Sequence, residues 1–264
     1  MLHFRVTTPA ARLSTPPPWR RGLRGFTPPV TWPQPHVSAS GPRAAVRAQT
    51  TEVPAGTGGE MEVLVCTHQT CRKAQGSHQT LMYFKDLAPV GVAVSSCGCL
   101  GKCGNGPNVA VGGSVFRHVG TASQAAAILH SQCRGAEPAA ALEAMELKVR
   151  GNASFEGGDL AGAEQLYSRA IELNPTAPAY SNRSSLRLAA GDAAAALEDA
   201  LAAASAAPGW HKARLREADA LCALGDPSAA LGACEEALRL EPGLRKSGEF
   251  VQRVKKLKLL VAGG

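Results

Sequence analysis

Two periodicities divide the chain. Between residues 59 and 133 the apolar positions come in short blocks and alternations bounded by glycine, proline and serine, as strands with an occasional helix require. Met61-Glu-Val-Leu-Val-Cys66 predicts a strand. Ser77 to Leu87, with Leu81, Phe84 and Ala88 at helical spacing, predicts a helix capped by its serine. Val90 to Ser95 predicts a second strand. Asn108-Val-Ala-Val111 and Val115-Phe-Arg-His-Val119 flank Gly112-Gly113-Ser114, a hairpin signal. Thr121 to about Gln132 predicts a last helix burying Ala125, Ile128 and Leu129. The order is β-α-β, then β-β-α.

Beyond a small Ala/Pro linker over 134–141, the pattern over 142–262 turns to Ala, Leu and charge at helical spacing. Three segments repeat: Ala144 through Pro175, Ala177 through Pro208, and His211 through Pro242. In each, a Gly-Asp pair precedes an Ala (Gly158-Asp159 and Ala163; Gly191-Asp192 and Ala196; Gly225-Asp226 and Ala230), a second small residue follows (Ala170, Ala203, Ala237), and Pro closes the unit. These marks resemble the tetratricopeptide repeat (TPR), whose period is about 34 residues. The resemblance implies helix-turn-helix units stacked into a solenoid, with a groove lined by the first helix of each repeat and a capping helix over Phe250 to Leu260. The expected fold class is therefore α/β followed by all-α.

Charge alters this picture only at the N-terminus. The formal charge is +7, but residues 1–51 hold Arg5, Arg12, Arg20, Arg21, Arg24, Arg43 and Arg47 with no Asp, Glu or Lys. The rest of the chain balances 21 basic against 21 acidic residues, so the basic character is no sign of a nucleic-acid surface. Lys255, Lys256 and Lys258 read as a solvated face. The leader also carries nine of the 18 prolines and cannot bury enough apolar surface to order itself. It reads as a transit peptide over 1–48, cleaved near Val46-Arg47-Ala48 and directing the protein to the chloroplast stroma, with the mitochondrial matrix as the alternative. No apolar run approaches the roughly 18 residues of a membrane span.

The candidate chemistry lies in two cysteine loops at predicted strand ends, Cys66-THQT-Cys71 and Cys99-LGK-Cys103. Two such pairs offer four soft thiolates to one metal centre. VCTHQTCRKAQGS and CGCLGKCGNGPNVAV resemble the thioredoxin-like 2Fe-2S ferredoxins and the related cluster-bearing subunit of respiratory complex I. The resemblance spans about 75 residues, over 59–133. It implies a thioredoxin-like fold with Cys66, Cys71, Cys99 and Cys103 as cluster ligands, and Cys97 outside the ligand pattern. Zinc would also accept these spacings. Dithiol exchange ordinarily needs C-x-x-C, which is missing. Arg72, Lys73 and Lys102 would favour a reduced cluster, or serve only solubility. Gly98, Gly101, Gly104 and Gly106 give the loops backbone freedom, and Pro107 is a candidate cis proline. His68 and His78 read as exposed polar residues, and Cys133, Cys222 and Cys234 as small apolar ones.

In the repeats, Lys148 and Asn152 lie four apart on one helix, Asn182 begins the equivalent part of the second repeat, and Lys212 and Arg216 lie four apart in the third. K-x3-N, N, K-x3-R resembles, position by position, the two-carboxylate clamp of co-chaperone repeat proteins. That likeness implies a partner with an acidic C-terminal tail, of the heat-shock chaperone class. Tails ending EEVD belong to cytosolic chaperones, which stands in tension with an organelle leader. No catalytic array is evident. The expectation is a plastid electron-transfer or redox-sensing protein docked through its groove, its redox partner unidentified; the alternative is a non-redox adaptor whose 2Fe-2S or zinc site is structural.

Overall fold

The structure is a computed structural model that describes residues 49–50, 61–69, 71, 76–101 and 106–263. The leader over 1–48, Arg72, Lys73, Lys102, Cys103 and Gly104 lie outside the described residues. Those described fall within one compact unit.

Alternating valines build a mixed sheet. β1 (Gln49–Thr50), β2 (Met61–Cys66), β3 (Val92–Cys97), β4 (Val109–Val111) and β5 (Ser114–Phe116) run in the order β1-β5-β4-β2-β3. β2 and β3 are parallel, in register from Met61 opposite Val92 to Cys66 opposite Cys97. A parallel pair needs a crossover, and α1 (Ser77–Leu87) lies on it. β4 is antiparallel to both β2 and β5. Gly112 and Gly113, at φ +55° and +83°, make the tight hairpin turn that side chains would resist. Val63, Val65, Val109 and Val111 meet Phe84 and Leu87 of α1, and Ile128 and Leu129 of α2 (Ala122–Cys133), in one core.

Four local expectations shift. Ser77 is no cap: Gly76 holds that position at φ +66°, and Ser77 is buried in the first turn with its hydroxyl unpartnered. β3 begins at Val92 because Val90 and Gly91 turn, with Val92 N–H donating to Pro89 O at 3.2 Å. β5 starts earlier, at Ser114, and ends at Phe116, since His118 takes φ +57° and breaks the extended run. Finally, residues 138–141 of the expected linker are helical. Pro138 supplies a preset first-turn φ, and the Glu137 carboxylate accepts from Ala139 N–H (2.8 Å) and Ala140 N–H (3.3 Å). The α2 cap is a full capping box between Thr121 and Gln124. Gly106–Pro107 is cis, as the sequence suggested.

The helical region pairs α3 (Pro138–Gly157) with α4 (Leu160–Leu173), α5 (Ala177–Ala190) with α6 (Ala193–Ala206), and α7 (His211–Ala223) with α8 (Pro227–Leu240). A short 3-10 turn over Pro242–Lys246 leads to α9 (Gly248–Gly263). The recurring Gly-Asp now has a physical reason. Gly158, Gly191 and Gly225 sit at φ +86°, +91° and +85°, the left-handed geometry that ends the first helix. Asp159, Asp192 and Asp226 then cap the second, accepting from Gly162, Ala195 and Ala229 N–H at 2.9, 3.0 and 2.9 Å. The paired small residues Ala163 and Ala170, Ala196 and Ala203, Ala230 and Ala237 are all buried.

One buried ionic knot ties the second pair together. Arg183 of α5 grips Asp199 of α6 through two bonds of 2.8 and 2.9 Å, and Arg187 Nη1 adds a third at 3.1 Å. Removing one partner of a buried ion pair strands the other, at a cost of about 3–5 kcal/mol. Asp199→Ala should therefore lower the unfolding free energy measured in urea by an amount in that range, whereas a change within error would show the knot to be inert.

Candidate peptide-binding groove and cysteine loops

The first helices of the repeats, α3, α5 and α7, pack in sequence, α3 against α5 and α5 against α7. They carry all five predicted groove residues. Asn152 and Asn182, on different repeats, are joined directly: Asn182 Nδ2 donates to Asn152 Oδ1 at 2.8 Å. The same oxygen accepts from the Tyr167 hydroxyl at 2.7 Å. With its oxygen doubly engaged, Asn152 is left its two amide N–H donors, the polarity a carboxylate ligand needs.

Tyr167 stands where it does because α4 crosses α3 at Gly151. A Cβ there would lie 2.7 Å from the Tyr167 ring, so only glycine admits the ring at this distance. Burial, aided by Glu156, pushes the Tyr167 hydroxyl well above its ordinary pKa, keeping it a neutral donor. Sequence reasoning missed Tyr167, because nothing in its spacing from Asn152 announces the bond.

The cations of the site differ from one another. Lys212 is exposed. Arg216 is half-buried, its Nη1 3.4 Å from Asp219 Oδ2, while Asp219 Oδ1 receives Arg253 of α9 at 2.9 Å. Burial presses the Arg216 guanidinium below its ordinary value, opposed by Asp219 and reinforced by Arg253. A cavity of about 220 Å³ lies beside this cluster, lined by Ala218, Asp219, Cys222, Arg253, Lys256 and Leu257. Lys148 departs from the expectation of an open groove. It is buried, and its Nζ meets Asp86 Oδ1 of the α/β region at 2.8 Å.

In the α/β region Cys66 ends β2 and Cys71 follows it. Their Sγ atoms lie 3.6 Å apart and both residues are buried. A tetrahedral metal with bonds of about 2.3 Å to sulfur spaces its ligand atoms about 3.8 Å apart, so this pair fits one metal position. Cys66 N–H donates to Asn108 O, and Thr67 N–H to Cys97 O, both at 3.0 Å, which fixes the loop's entry. Cys99 is exposed, and its sulfur accepts from Gly101 N–H at 3.4 Å. Cys97 is pushed up to about 11 by burial first and then by Cys66, Cys99 and Glu62. Cys103 lies outside the described residues, and among those described no group of three or more His, Cys, Asp or Glu could hold a metal ion. His68 and His78 are exposed, Cys234 is buried, and Cys133 and Cys222 are half-buried.

No protein-family model matches the chain. A Dictyostelium discoideum protein described as a STIP1 homolog is 40% identical over 103 residues, covering 39% of this chain and 18% of the relative. A Schizosaccharomyces pombe heat shock protein sti1 homolog is 40% identical over 97 residues, covering 36% and 16%. The TPR repeat-containing thioredoxin TTL4 of Arabidopsis thaliana is 31% identical over 138 residues, covering 45% and 20%. The helical region is a TPR-like solenoid of three helix pairs and a last helix. A small mixed α/β region precedes it, and the chain spans about a fifth or less of the length of these relatives. Among the described residues no helix is long and apolar enough to cross a membrane.

The Gly151–Tyr167–Asn152 arrangement makes a stability prediction. Gly151→Ala overpacks the crossing and should cost about 1–3 kcal/mol in denaturant unfolding. Tyr167→Phe removes one hydrogen bond and should cost about 1 kcal/mol. Equal, negligible effects would mean that the crossing is looser than described.

Proposed function

We propose that this chain is a non-enzymatic adaptor whose TPR groove holds the acidic C-terminal tail of a partner protein of the heat-shock chaperone class. The observation that carries this reading is the direct bond between Asn152 and Asn182 on adjacent first helices, with Lys148 four residues before one and Lys212 and Arg216 on the next helix. Amide donors and cations in such a row suit a chain terminus, where two carboxylates lie close together. The relatives described as STIP1 and heat shock protein sti1 homologs support the choice of partner class.

Charge-assisted hydrogen bonds contribute about 1.5–3 kcal/mol each. Lys212→Ala combined with Arg216→Ala should therefore weaken binding of a peptide ending Glu-Glu-Val-Asp by roughly 100-fold or more in calorimetric titration. Undiminished affinity would make the groove cations bystanders.

A second reading concerns the α/β region, and the 3.6 Å approach of Cys66 and Cys71 favours it. We propose a thioredoxin-like domain that holds a 2Fe-2S cluster through Cys66, Cys71, Cys99 and Cys103, with zinc as the alternative. The sheet order β5-β4-β2-β3, one parallel pair and an antiparallel hairpin, supports that fold type. When bound, a cluster would supply reversible one-electron chemistry; zinc would only staple the loops. The chain's own part is to bury the first pair of sulfurs and to offer Gly101 N–H to the Cys99 sulfur. Residence in the chloroplast stroma remains part of this proposal and rests on the composition of residues 1–48 alone. Anaerobically purified protein should be coloured, contain iron and give an electron paramagnetic resonance signal on reduction, and Cys99→Ser or Cys103→Ser should abolish all three. Colourless, iron-free, folded protein would contradict the cluster, and one zinc per chain would establish the alternative.

A further inference from the structure

One member of the proposed clamp is already taken. Lys148 Nζ sits 2.8 Å from Asp86 Oδ1, with the two side chains only 8% and 17% exposed. Asp86 is the penultimate residue of α1, and the chain beyond it is held against the repeats at two further points. Asn174, after α4, donates from Nδ2 to Leu87 O at 3.3 Å, and Gly91 N–H donates to Ala206 O at the end of α6, also at 3.3 Å. Lys85, next to Asp86, is near enough to His211 at the start of α7 to act on its charge. The end of α1 thus meets α3 at Lys148, the ends of the second helices α4 and α6, and the start of α7.

The space around the pair is closed. Asp86, Lys148, Asn174 and Thr176 border a cavity of only about 10 Å³, room for about one water and no carboxylate-bearing residue. A tail cannot reach Lys148 while Asp86 remains. Lys212 is exposed, and Arg216 is satisfied only by a longer contact to Asp219.

We propose that Asp86 is an internal ligand of the clamp. It holds Lys148 as a partner's carboxylate would, so the closed groove offers Lys212 and Arg216 to a tail but withholds its first cation. Full engagement exchanges one carboxylate for another on Lys148 and lifts the end of α1 from α3. The α/β region thereby sets how strongly, and for which acidic tails, the groove binds. This inference rests on the tail-binding function proposed above.

The test uses the full chain and a peptide ending Glu-Glu-Val-Asp. Asp86→Ala should tighten binding by about 10-fold or more, and Asp86→Asn, which keeps shape but removes charge, should act in the same direction if the alanine variant is unstable. The gain should vanish in the Asp86→Ala, Lys148→Ala double variant. Peptide addition to the wild type should also speed amide hydrogen exchange at Gly91 as its bond to Ala206 opens. If the wild type binds in a Lys212-dependent way and the Asp86 variants bind no tighter, Asp86 is only a structural contact and this inference alone fails. If neither wild type nor variants bind, the clamp function itself fails and Asp86 has no ligand to compete with.

Discussion

The groove depends on how closely the two helices of each pair approach, and that is set by residues with almost no side chain. Ala163 and Ala170, Ala196 and Ala203, and Ala230 and Ala237 are buried on the second helices. In interiors packed to crystal density, the side chain at a crossing sets the distance between helix axes. Gly151 carries the constraint further by admitting a tyrosine ring against the α3 backbone, and that tyrosine orients Asn152. The polar chemistry of the groove is thus fixed by apolar choices elsewhere.

On this frame the charges are arranged in opposition. Lys148 has Asp86; Arg216 and Arg253 share Asp219; Arg183 and Arg187 share Asp199. The first and the last of these are largely shielded from solvent, and the last joins only helices of one repeat. The first two place acidic groups beside cations of the proposed clamp, so an incoming tail exchanges partners rather than meeting bare charge. The α/β region takes part because it is not a bead on a string. Ala141 belongs to its core, and Leu142 and Met145 pack against that core, so the first helix of the solenoid serves both halves.

Much of this was legible in the sequence, for reasons that differ by element. The repeats announce themselves because Gly158, Gly191 and Gly225 must each adopt positive φ and the following Asp must cap, a demand that recurs with the period. The hairpin at Gly112-Gly113 is legible for the same reason. The groove residues stand in register because first helices repeat, but their partners do not repeat, so Tyr167, Asp219 and Arg253 gave no signal. Asp86 lies 62 positions from Lys148 and belongs to another pattern altogether. Ser77 misled because a serine at a helix start usually caps, whereas here Gly76 turns the chain and leaves Ser77 in the core. The strand ends at Val92 and Phe116 were set by turns at Gly91 and His118 that hydrophobic blocks do not reveal.

The central claim is that amides and cations on three successive first helices converge on a carboxylate terminus. Titrating isotope-labelled protein with a Glu-Glu-Val-Asp peptide and following side-chain amide resonances tests it most directly. The account predicts saturable shifts of the Asn152 and Asn182 side-chain amides together with backbone shifts around Lys212 and Arg216, all lost when the peptide is amidated at its C-terminus. Shifts confined to other surfaces, or indifferent to the terminal carboxylate, would contradict it.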